Sequence, residues 1–391
     1  MLGELWQSPH TFCLAGYLPA EDAPGLVGEL ESRFTLLAEV TQPGPQEDPP
    51  VKLKNNFFTE PVEGVVEGYS LPGRHEVDPS AVMAFFYYVL FGMMLSDAAY
   101  GILTVVGSAF ALRKFPDMEL KMRKTLRMFL FCGISTTVWG VLFGSYFGDA
   151  IPVIAQTFFH TEITVPALWF EPLDDPMRLL IFSFGVGVAH LFTGLGVQFY
   201  QLAKQKKYAD ALYDVVFWYL LVGGLIVVLL STEIFQNIAQ LPFTVPGPVA
   251  AVAGVLAGIG AVGILFTAGR ESRSPVKRFL KGLYGLYGVS SYLSDILSYS
   301  RLLALGLATS VISTVFNQLG AMLGGGVVGA IFFTVVFLIG HSMNMAINLL
   351  GAMCTPTACS LLSSSENSMR RRPGLPSFAA NTKHFQIKEE K

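Results

Sequence analysis

Charge is what this sequence has least of. Only 14 % of its 391 residues are Asp, Glu, Lys or Arg, against roughly 25 % in a soluble globular protein, and 52 % are hydrophobic. The formal net charge of -3 is too small to indicate a nucleic-acid partner. The composition is that of a membrane protein.

Cysteine is scarce as well, and several motifs are missing. The cysteines show neither metal-ligand nor secreted-disulfide spacing, which predicts ordinary buried thiols in a reducing compartment; they are Cys13, Cys132, Cys354 and Cys359. No Gly-rich segment has Walker spacing with a Lys-Ser/Thr ending, and the first residues do not resemble a cleavable signal peptide. We therefore predict no enzyme chemistry, no metal and no cofactor.

Polarity falls sharply after Pro79. Residues 1–79 mix acidic and apolar positions and include the Pro-rich stretch 41–50, which predicts a short piece of a soluble α/β lobe followed by a linker. Residues 80–353 form the predicted transmembrane domain, whose apolar segments are near or above the ~20 residues that cross a bilayer core. These segments are 126–147, 177–200, 212–232, 247–268, 288–320 and 324–353.

Basic and acidic loops alternate along the chain; in order they are 113–127, 148–176, 201–214, 232–247 and 270–281. The positive-inside rule places the basic loops in the cytoplasm. If the N-terminal piece is cytoplasmic too, the run 82–112 crosses an even number of times, as a short hairpin or re-entrant pair turning near Ser96 and Asp97. The predicted fold is all-α and polytopic, with about eight transmembrane helices.

Small residues recur at near-helical spacing within residues 247–263. Gly254 and Gly258 form a small-xxx-small pair. Such pairs let two membrane helices approach closely. We therefore predict a packing role for these glycines, not a ligand role.

An arginine interrupts one of the most apolar parts of the chain. A charge at the bilayer centre costs at least ~2.5 to 3.5 kcal/mol, so Arg301 indicates function. The polar residues before it share one helical stripe that can line water: Ser291, Ser294, Asp295 and Ser298. A guanidinium stays protonated, attracts a passing carboxylate and releases the ion that carboxylate holds. The alternative is a structural pair with Asp295 or another acid.

The last apolar segment carries a second polar row. His341, Asn344 and Asn348 lie at i, i+3 and i+7, on one helical face, and predict a second aqueous wall facing the serine-lined helix. The alternative is that they are interhelical hydrogen-bond partners. His190 and Asp97 are isolated, and both structural and pathway roles stay open for them.

Two tyrosines lie close to the arginine. Tyr292 and Tyr299 are either residues of the site or members of an interfacial aromatic belt. Their spacing alone does not separate the two interpretations.

Four motifs together suggest a family. "YLSDILSYSRLLALGLA" (292–308) resembles the arginine-bearing helix of the membrane-embedded stator subunit of V/A-type rotary ATPases, called subunit a in eukaryotes and subunit I in bacteria and archaea. "FGMMLSDAAYG" (91–101), "FGSYFGD" (143–149) and "GHSMNMAINLLGA" (340–352) agree with it. The resemblance runs from about residue 10 to 352.

The resemblance implies two offset aqueous half-channels beside a ring of proteolipid subunits. Arg301 would separate the channels and face the ring's glutamate, which couples proton or sodium transport to rotation, while other subunits handle ATP. The implied partners are the proteolipid c-ring, peripheral and central stalk subunits and membrane lipid, and the short loops suggest a prokaryotic cell membrane. The residues assigned to ion translocation are Tyr292, Ser294, Asp295, Ser298, Arg301, His341, Asn344 and Asn348.

The chain departs from the family at both ends. The long N-terminal arm is represented only by its closing stretch, which suggests a fragment or an internal start. Residues 354–391 replace the family's continued helix and second arginine. A one-base slip would produce Ser364–Met369, so we predict that about 353–375 is frameshifted; the alternative is a genuine Ser-rich linker, and resequencing decides between them.

Two other classes of function remain open. An ion-coupled secondary transporter also keeps intramembrane charges, although it should show inverted repeats, and no persuasive pairing of segments is present. A transport-dead assembly piece would also explain the unusual ends. Co-purification with a small proteolipid would distinguish the rotary function from the transporter.

Overall fold

The computed structural model describes residues 6–7, 12–13, 16–44, 50–51, 53–69, 71–72, 77–233, 235–236, 245–270 and 275–362. Within these ranges nearly all regular structure is helical. The strands described are β1 (Trp6–Gln7) and β2 (Phe12–Cys13), which pair antiparallel. Two residues a strand is too little to confirm the predicted α/β lobe.

The helices follow one another with short connections. They are α1 (Ala23–Arg33), a 3-10 turn (Glu60–Val62), α2 (Glu63–Tyr69), α3 (Ser80–Leu95), α4 (Ala98–Lys114), α5 (Leu120–Phe143), α6 (Ala150–Phe159), α7 (Pro176–Lys204), α8 (Tyr208–Ala211), a π-helical turn (Leu212–Val216), α9 (Phe217–Ser231), α10 (Gly247–Thr267), α11 (Pro275–Ser298), α12 (Ser300–Ala321) and α13 (Val327–Leu362).

Six helical segments of the described chain are long and apolar enough to cross a membrane: Leu120–Phe143, Pro176–Lys204, Tyr208–Ser231, Gly247–Thr267, Pro275–Ala321 and Val327–Cys354. All six overlap the predicted segments. The predicted count of eight is not confirmed, because α3 and α4 have only 16 and 17 residues. The six segments indicate an integral membrane protein, whereas α3 and α4 are shorter than the ~20 residues that cross a bilayer core.

The predicted turn between α3 and α4 is present at Ser96 and Asp97. Ser96 ends α3 with a positive φ of 40°, and Asp97 caps the N-terminus of α4. Both residues are buried. The turn is therefore surrounded by protein, as broken backbone at membrane depth requires.

Helix α3 is the centre of the largest buried cluster. Its apolar residues pack against α5, α12 and α13, and most of them are fully buried. Helix α4 packs closely on α5, where a Cβ atom on Gly140 would overlap the backbone of Ala98. Both halves of the hairpin thus pack on α5, and this arrangement fixes the turn at Ser96.

Part of the segment before Pro79 packs on the membrane helices. Glu63 forms an ion pair with Lys124 at 2.6 Å, and Glu60 forms one with Arg127 at 2.9 Å. All four side chains are at most 28 % exposed, so these pairs are shielded from solvent more than ordinary surface pairs. The start of α5 therefore holds the part of the predicted arm-and-linker region 1–79 that follows the Pro-rich stretch.

The sequence predicted that Gly254 and Gly258 of α10 pack against a neighbouring helix, and this prediction is wrong by one residue. Gly254 and Gly258 are exposed, whereas Ala253, Ala257 and Gly260 are buried. The buried residues face α9, and Gly260 lies against the backbone of that helix. Small residues fill most of α10, so spacing alone did not select the packed face.

The last helix extends beyond the predicted boundary. Helix α13 continues past Met353 to Leu362, although the sequence predicted non-helical structure after residue 353. Pro356 lies within it, and membrane helices tolerate a proline because neighbouring groups compensate for the lost hydrogen bond. Residues 363–391, with most of the predicted frameshifted segment, lie outside the described residues.

Candidate functional site: a buried polar network and an exposed arginine

The predicted row on α13 packs against α12. His341 lies beside Asn317, and Asn344 lies beside Thr309 and Ser313, because the two helices run antiparallel. With Asn348, these side chains are at most 4 % exposed. Polar groups from two helices thus meet at a buried interface, which we call the inner network.

Asn344 is the most connected member of the inner network. Its Nδ2 atom lies 2.8 Å from Ser313 Oγ, 3.0 Å from the Thr309 carbonyl and 3.1 Å from the Tyr100 hydroxyl. Asn348 Nδ2 donates to the Asn344 side-chain oxygen at 2.5 Å and to its carbonyl at 2.9 Å. One side chain therefore links α4, α12 and α13.

Tyr100 brings α4 into the inner network. Its hydroxyl lies 2.6 Å from His341 Nδ1 and 3.2 Å from Ser313 Oγ. Aromatic rings surround the imidazole, with the Phe337 ring centroid at 4.2 Å and that of Phe147 at 5.1 Å. The histidine is held by one polar contact on each nitrogen and by packing on its faces.

One end of the inner network reaches an acidic loop. Asn317 Nδ2 donates to Asp149 Oδ1 at 2.9 Å and to the Phe147 carbonyl at 2.8 Å, while its Oδ1 lies 3.0 Å from His341 Nε2. Asp149 is half-buried and belongs to the loop after α5.

Asp97 fixes the geometry beside this network. Its buried carboxylate accepts four hydrogen bonds, from Ala99 N, Tyr100 N, Ser145 Oγ and Gly148 N. The carboxylate joins the start of α4 to the loop after α5. Gly148 has a φ of +66°, and a Cβ atom there would lie 2.6 Å from Ser313 Cβ. Asp97 thus has a structural environment and positions Tyr100.

Arg301 has a different environment. It is exposed, near the start of α12, and its Nε donates to the Ser298 carbonyl at 3.1 Å. Within the described part of the chain, no carboxylate lies within ion-pair distance of its guanidinium, so the pair with Asp295 is not formed. The arginine therefore points out of this fold.

The stripe that precedes the arginine also lies toward the surface. Ser291 and Ser294 are exposed, while Asp295 and Ser298 are half-buried. Ser298 Oγ donates to the Asp295 carbonyl at 2.6 Å. We call this stripe, together with Arg301, the outer row. It does not face His341, Asn344 and Asn348, although the sequence predicted that it would.

The remaining candidates are packed between helices. His190 Nδ1 lies 2.7 Å from the Tyr299 hydroxyl, and its ring stacks on Phe86 at 4.1 Å. Tyr299 is buried, so it does not belong to an exposed belt. The Tyr292 ring is half-buried, 4.7 Å from that of Trp218 on α9. These contacts join α7 and α9 to the break between α11 and α12.

Five residues of the inner network were not singled out from the sequence: Tyr100, Asp149, Thr309, Ser313 and Asn317. Thr309, Ser313 and Asn317 recur at every fourth position, which places them on one helical face. This spacing could have identified the three residues as one polar face from the sequence alone. Nothing in the sequence showed that Tyr100 would reach His341 from a distant helix.

The described residues contain no group of three or more His, Cys, Asp or Glu side chains placed to hold a metal ion. The inner network consists of one imidazole, hydroxyls, amides and the Asp149 carboxylate, which exchange hydrogen bonds and can hold or move protons. The outer row presents a fixed positive charge. These are the chemical capacities of the two regions.

The fold and the two polar regions define a multi-pass membrane protein with an intramembrane arginine and a buried hydrogen-bond network. The chain is 31 % identical to the A-type ATP synthase subunit I of Pyrococcus horikoshii over 360 residues, which is 90 % of this chain and 51 % of the relative. It is 29 % identical to that of Methanocaldococcus jannaschii over 373 residues, 88 % of this chain and 51 % of the relative.

Bacterial proteins match at lower identity. The V-type ATP synthase subunit I of Chlamydia pneumoniae is 23 % identical over 400 residues, 88 % of this chain and 56 % of the relative. No family model matches the chain. The chain is thus similar to A-type and V-type ATP synthase subunit I proteins, and it spans about half the length of these relatives.

Proposed function

We propose that this chain is the ion-translocating membrane part of a V/A-type rotary ATPase, in which Arg301 faces the carboxylate of a proteolipid ring. The observation that carries the proposal is the exposed guanidinium. A charge on the surface of apolar helices is costly in lipid unless water or a partner meets it. A moving carboxylate on a neighbouring subunit is a suitable partner, because it is attracted to the arginine and then released.

The order of the two polar regions along the chain supports two half-channels. The outer-row serines and Asp295 precede Arg301 on the side of the basic loop 270–281. The inner network follows Arg301 on α12 and ends at Asp149, in an acidic loop. Arg301 thus separates a path toward the cytoplasm from a path toward the opposite face, and prevents ions from crossing directly between them.

The names of the relatives support the assembly context. Subunit I belongs to an ATP synthase, so this chain would join a rotary complex with a proteolipid ring and stalk subunits, as a non-catalytic membrane subunit. Other subunits would carry out the chemistry of ATP. The relatives come from archaea and bacteria, which supports a prokaryotic cell membrane.

The test is ATP-driven ion uptake by vesicles that hold the whole complex, with the full-length form of this subunit. Arg301→Gln keeps an unbranched polar side chain and removes its charge. We expect uptake to fall to background while the proteolipid ring still co-purifies with the subunit.

Arg278→Gln is the matched control. Arg278 is also exposed, and its Nε also donates to a backbone carbonyl, that of Phe266 at 2.9 Å, but it lies at the cytoplasmic start of α11. Uptake should stay near that of the unaltered complex in this variant. Unchanged uptake in Arg301→Gln would overturn the proposal. Loss of uptake in both variants would mean that Arg301 has no role that the control residue Arg278 lacks, and this would also contradict the proposal.

A further inference from the structure

The contacts of Asn317 determine which nitrogen of His341 carries hydrogen. The Asn317 amide faces the Asp149 carboxylate and the Phe147 carbonyl, and both of these groups only accept hydrogen bonds. The NH₂ group must therefore point toward them, so Oδ1 points toward His341 Nε2. An oxygen acceptor at that place requires an N–H donor, and His341 carries a hydrogen on Nε2.

The second nitrogen of His341 follows from the first. In a neutral imidazole with hydrogen on Nε2, Nδ1 is an acceptor. The Tyr100 hydroxyl at 2.6 Å is the group placed to donate to it. Asn344 Nδ2 donates at the same time to the Thr309 carbonyl and Ser313 Oγ. Every hydrogen bond at the histidine thus has a defined direction.

His341, Tyr100 and Ser313 can together take up one more hydrogen without leaving a polar group unpaired. If Nδ1 is protonated, it donates to the Tyr100 oxygen, and the Tyr100 hydroxyl turns to Ser313 Oγ, 3.2 Å away. The Asn344 amide still donates to the Thr309 carbonyl. The atoms balance: Tyr100 gives its hydroxyl hydrogen to Nδ1, where one N–H bond forms, and its oxygen takes a replacement proton that enters from water, so Tyr100 again carries one O–H bond.

We propose that His341 and Tyr100 are a proton-transfer pair on the path to the acidic face, and that the ion carried there is a proton. The inference rests on the proposed function. The charged groups that face the imidazole are Asp149, through Asn317, and Asp97, at the start of α4. Both are acidic, so they offset part of the cost of burying the extra positive charge.

A sodium ion does not suit the same atoms. The oxygens of Tyr100, Ser313 and Asn344 already take part in hydrogen bonds within a buried interface. Sodium would have to displace the donors that hold α4, α12 and α13 together. A proton needs only a change in the direction of one hydroxyl group.

The test compares pH profiles of ATP-driven uptake by the complete complex in vesicles. His341→Gln is the main variant, because a glutamine amide can donate to Asn317 and accept from Tyr100 but cannot take up a proton. Tyr100→Phe removes the hydroxyl and keeps the ring. Since positioned proton-transfer groups typically contribute a factor of 10² to 10⁴, we expect both to lower uptake by roughly tenfold or more.

His190→Gln is the matched histidine control. His190 is equally buried and also has a tyrosine hydroxyl on Nδ1, but its ring packs flat on Phe86. We expect its variant to keep the pH profile of the unaltered complex. In that unaltered complex, uptake should persist without sodium and disappear with a protonophore.

The outcomes separate this inference from the proposed function. If His341→Gln keeps the normal uptake and pH profile while Arg301→Gln is inactive, the proton-transfer pair is overturned and the role of Arg301 stands. If Arg301→Gln is fully active, the proposed function fails. If neither His341→Gln nor Tyr100→Phe assembles, the sodium test on the unaltered complex decides, because uptake that requires sodium overturns the inference.

Discussion

The outer row and the inner network have similar spacing in the sequence and opposite environments in the fold. The outer row ends at Arg301, which is exposed and has no carboxylate within ion-pair distance in the described residues. In the inner network, side chains from α4, α12 and α13 bond to one another at a buried interface. The outer row can meet a partner, and the inner network can hold a proton.

The comparison shows that burial decides what a polar residue in a membrane can do. Arg301 and Ser313 are on the same helix, twelve positions apart, yet one points outward and the other is fully buried. A buried hydroxyl needs partners inside the protein, because lipid offers none. An exposed cation needs water or a second protein, which the proposed complex would provide.

Replacing Asp97 should have the largest effect on stability. Asp97→Asn places an NH₂ group where the carboxylate accepted bonds, and hydrogen bonds to charged groups contribute about 1.5 to 3 kcal/mol each. The bonds to Oδ1 can persist on the amide oxygen, but the two donors on Oδ2, Ser145 Oγ and Gly148 N, lose their acceptor, so we expect a loss of about 3 kcal/mol or more, measured by thermal unfolding of the purified chain in detergent. Asp295→Asn, on the outer row, is the control, and an equal loss there would remove the contrast between the two regions.

A smaller loss is expected at the centre of the inner network. Asn344→Leu keeps the branching and the number of heavy atoms, but it removes the donor to Ser313 and the Thr309 carbonyl and the acceptor for Asn348. Each buried group left unpaired costs about 1 to 3 kcal/mol, although single pairs between membrane helices average about 0.6 kcal/mol, so we expect a total of about 1 to 2 kcal/mol in the same unfolding assay.

Ser294→Leu tests the other side of this comparison. Ser294 is exposed on the outer row, so a leucine there should leave the unfolding temperature unchanged. A loss of stability as large as that of Asn344→Leu would mean that Ser294 is packed against protein and is not exposed on the outer row.

Much of the fold followed from hydropathy and charge. The six spanning segments and the turn at Ser96 and Asp97 were predicted, because long apolar runs and alternating loop charges reflect the bilayer directly. The packing register of α10 was missed by one residue. Glycine and alanine lie on both faces of that helix, with Gly260 buried and Gly254 exposed, so their spacing carried no contrast between the faces.

The site was predicted in part. The spacing of His341, Asn344 and Asn348 placed them on one face, and the structure shows that face against α12. Their partners could not be derived, because Tyr100 comes from a helix more than two hundred positions away. Spacing within a helix shows which residues share a face, and only the tertiary fold shows what that face meets.

Access of water to the two regions is the most direct test of this account. In a cysteine-free background of the complete complex, Ser294→Cys and Ser313→Cys are treated with a water-soluble thiol reagent in intact vesicles. The labelling is repeated after denaturation to confirm that both thiols are present.

The account predicts that the cysteine at position 294 reacts in the native complex, whereas the cysteine at position 313 reacts only after denaturation. Ser294 is exposed on the outer row, and Ser313 is fully buried in the inner network. Labelling at position 313 with protection at position 294 would contradict the assignment of the two regions.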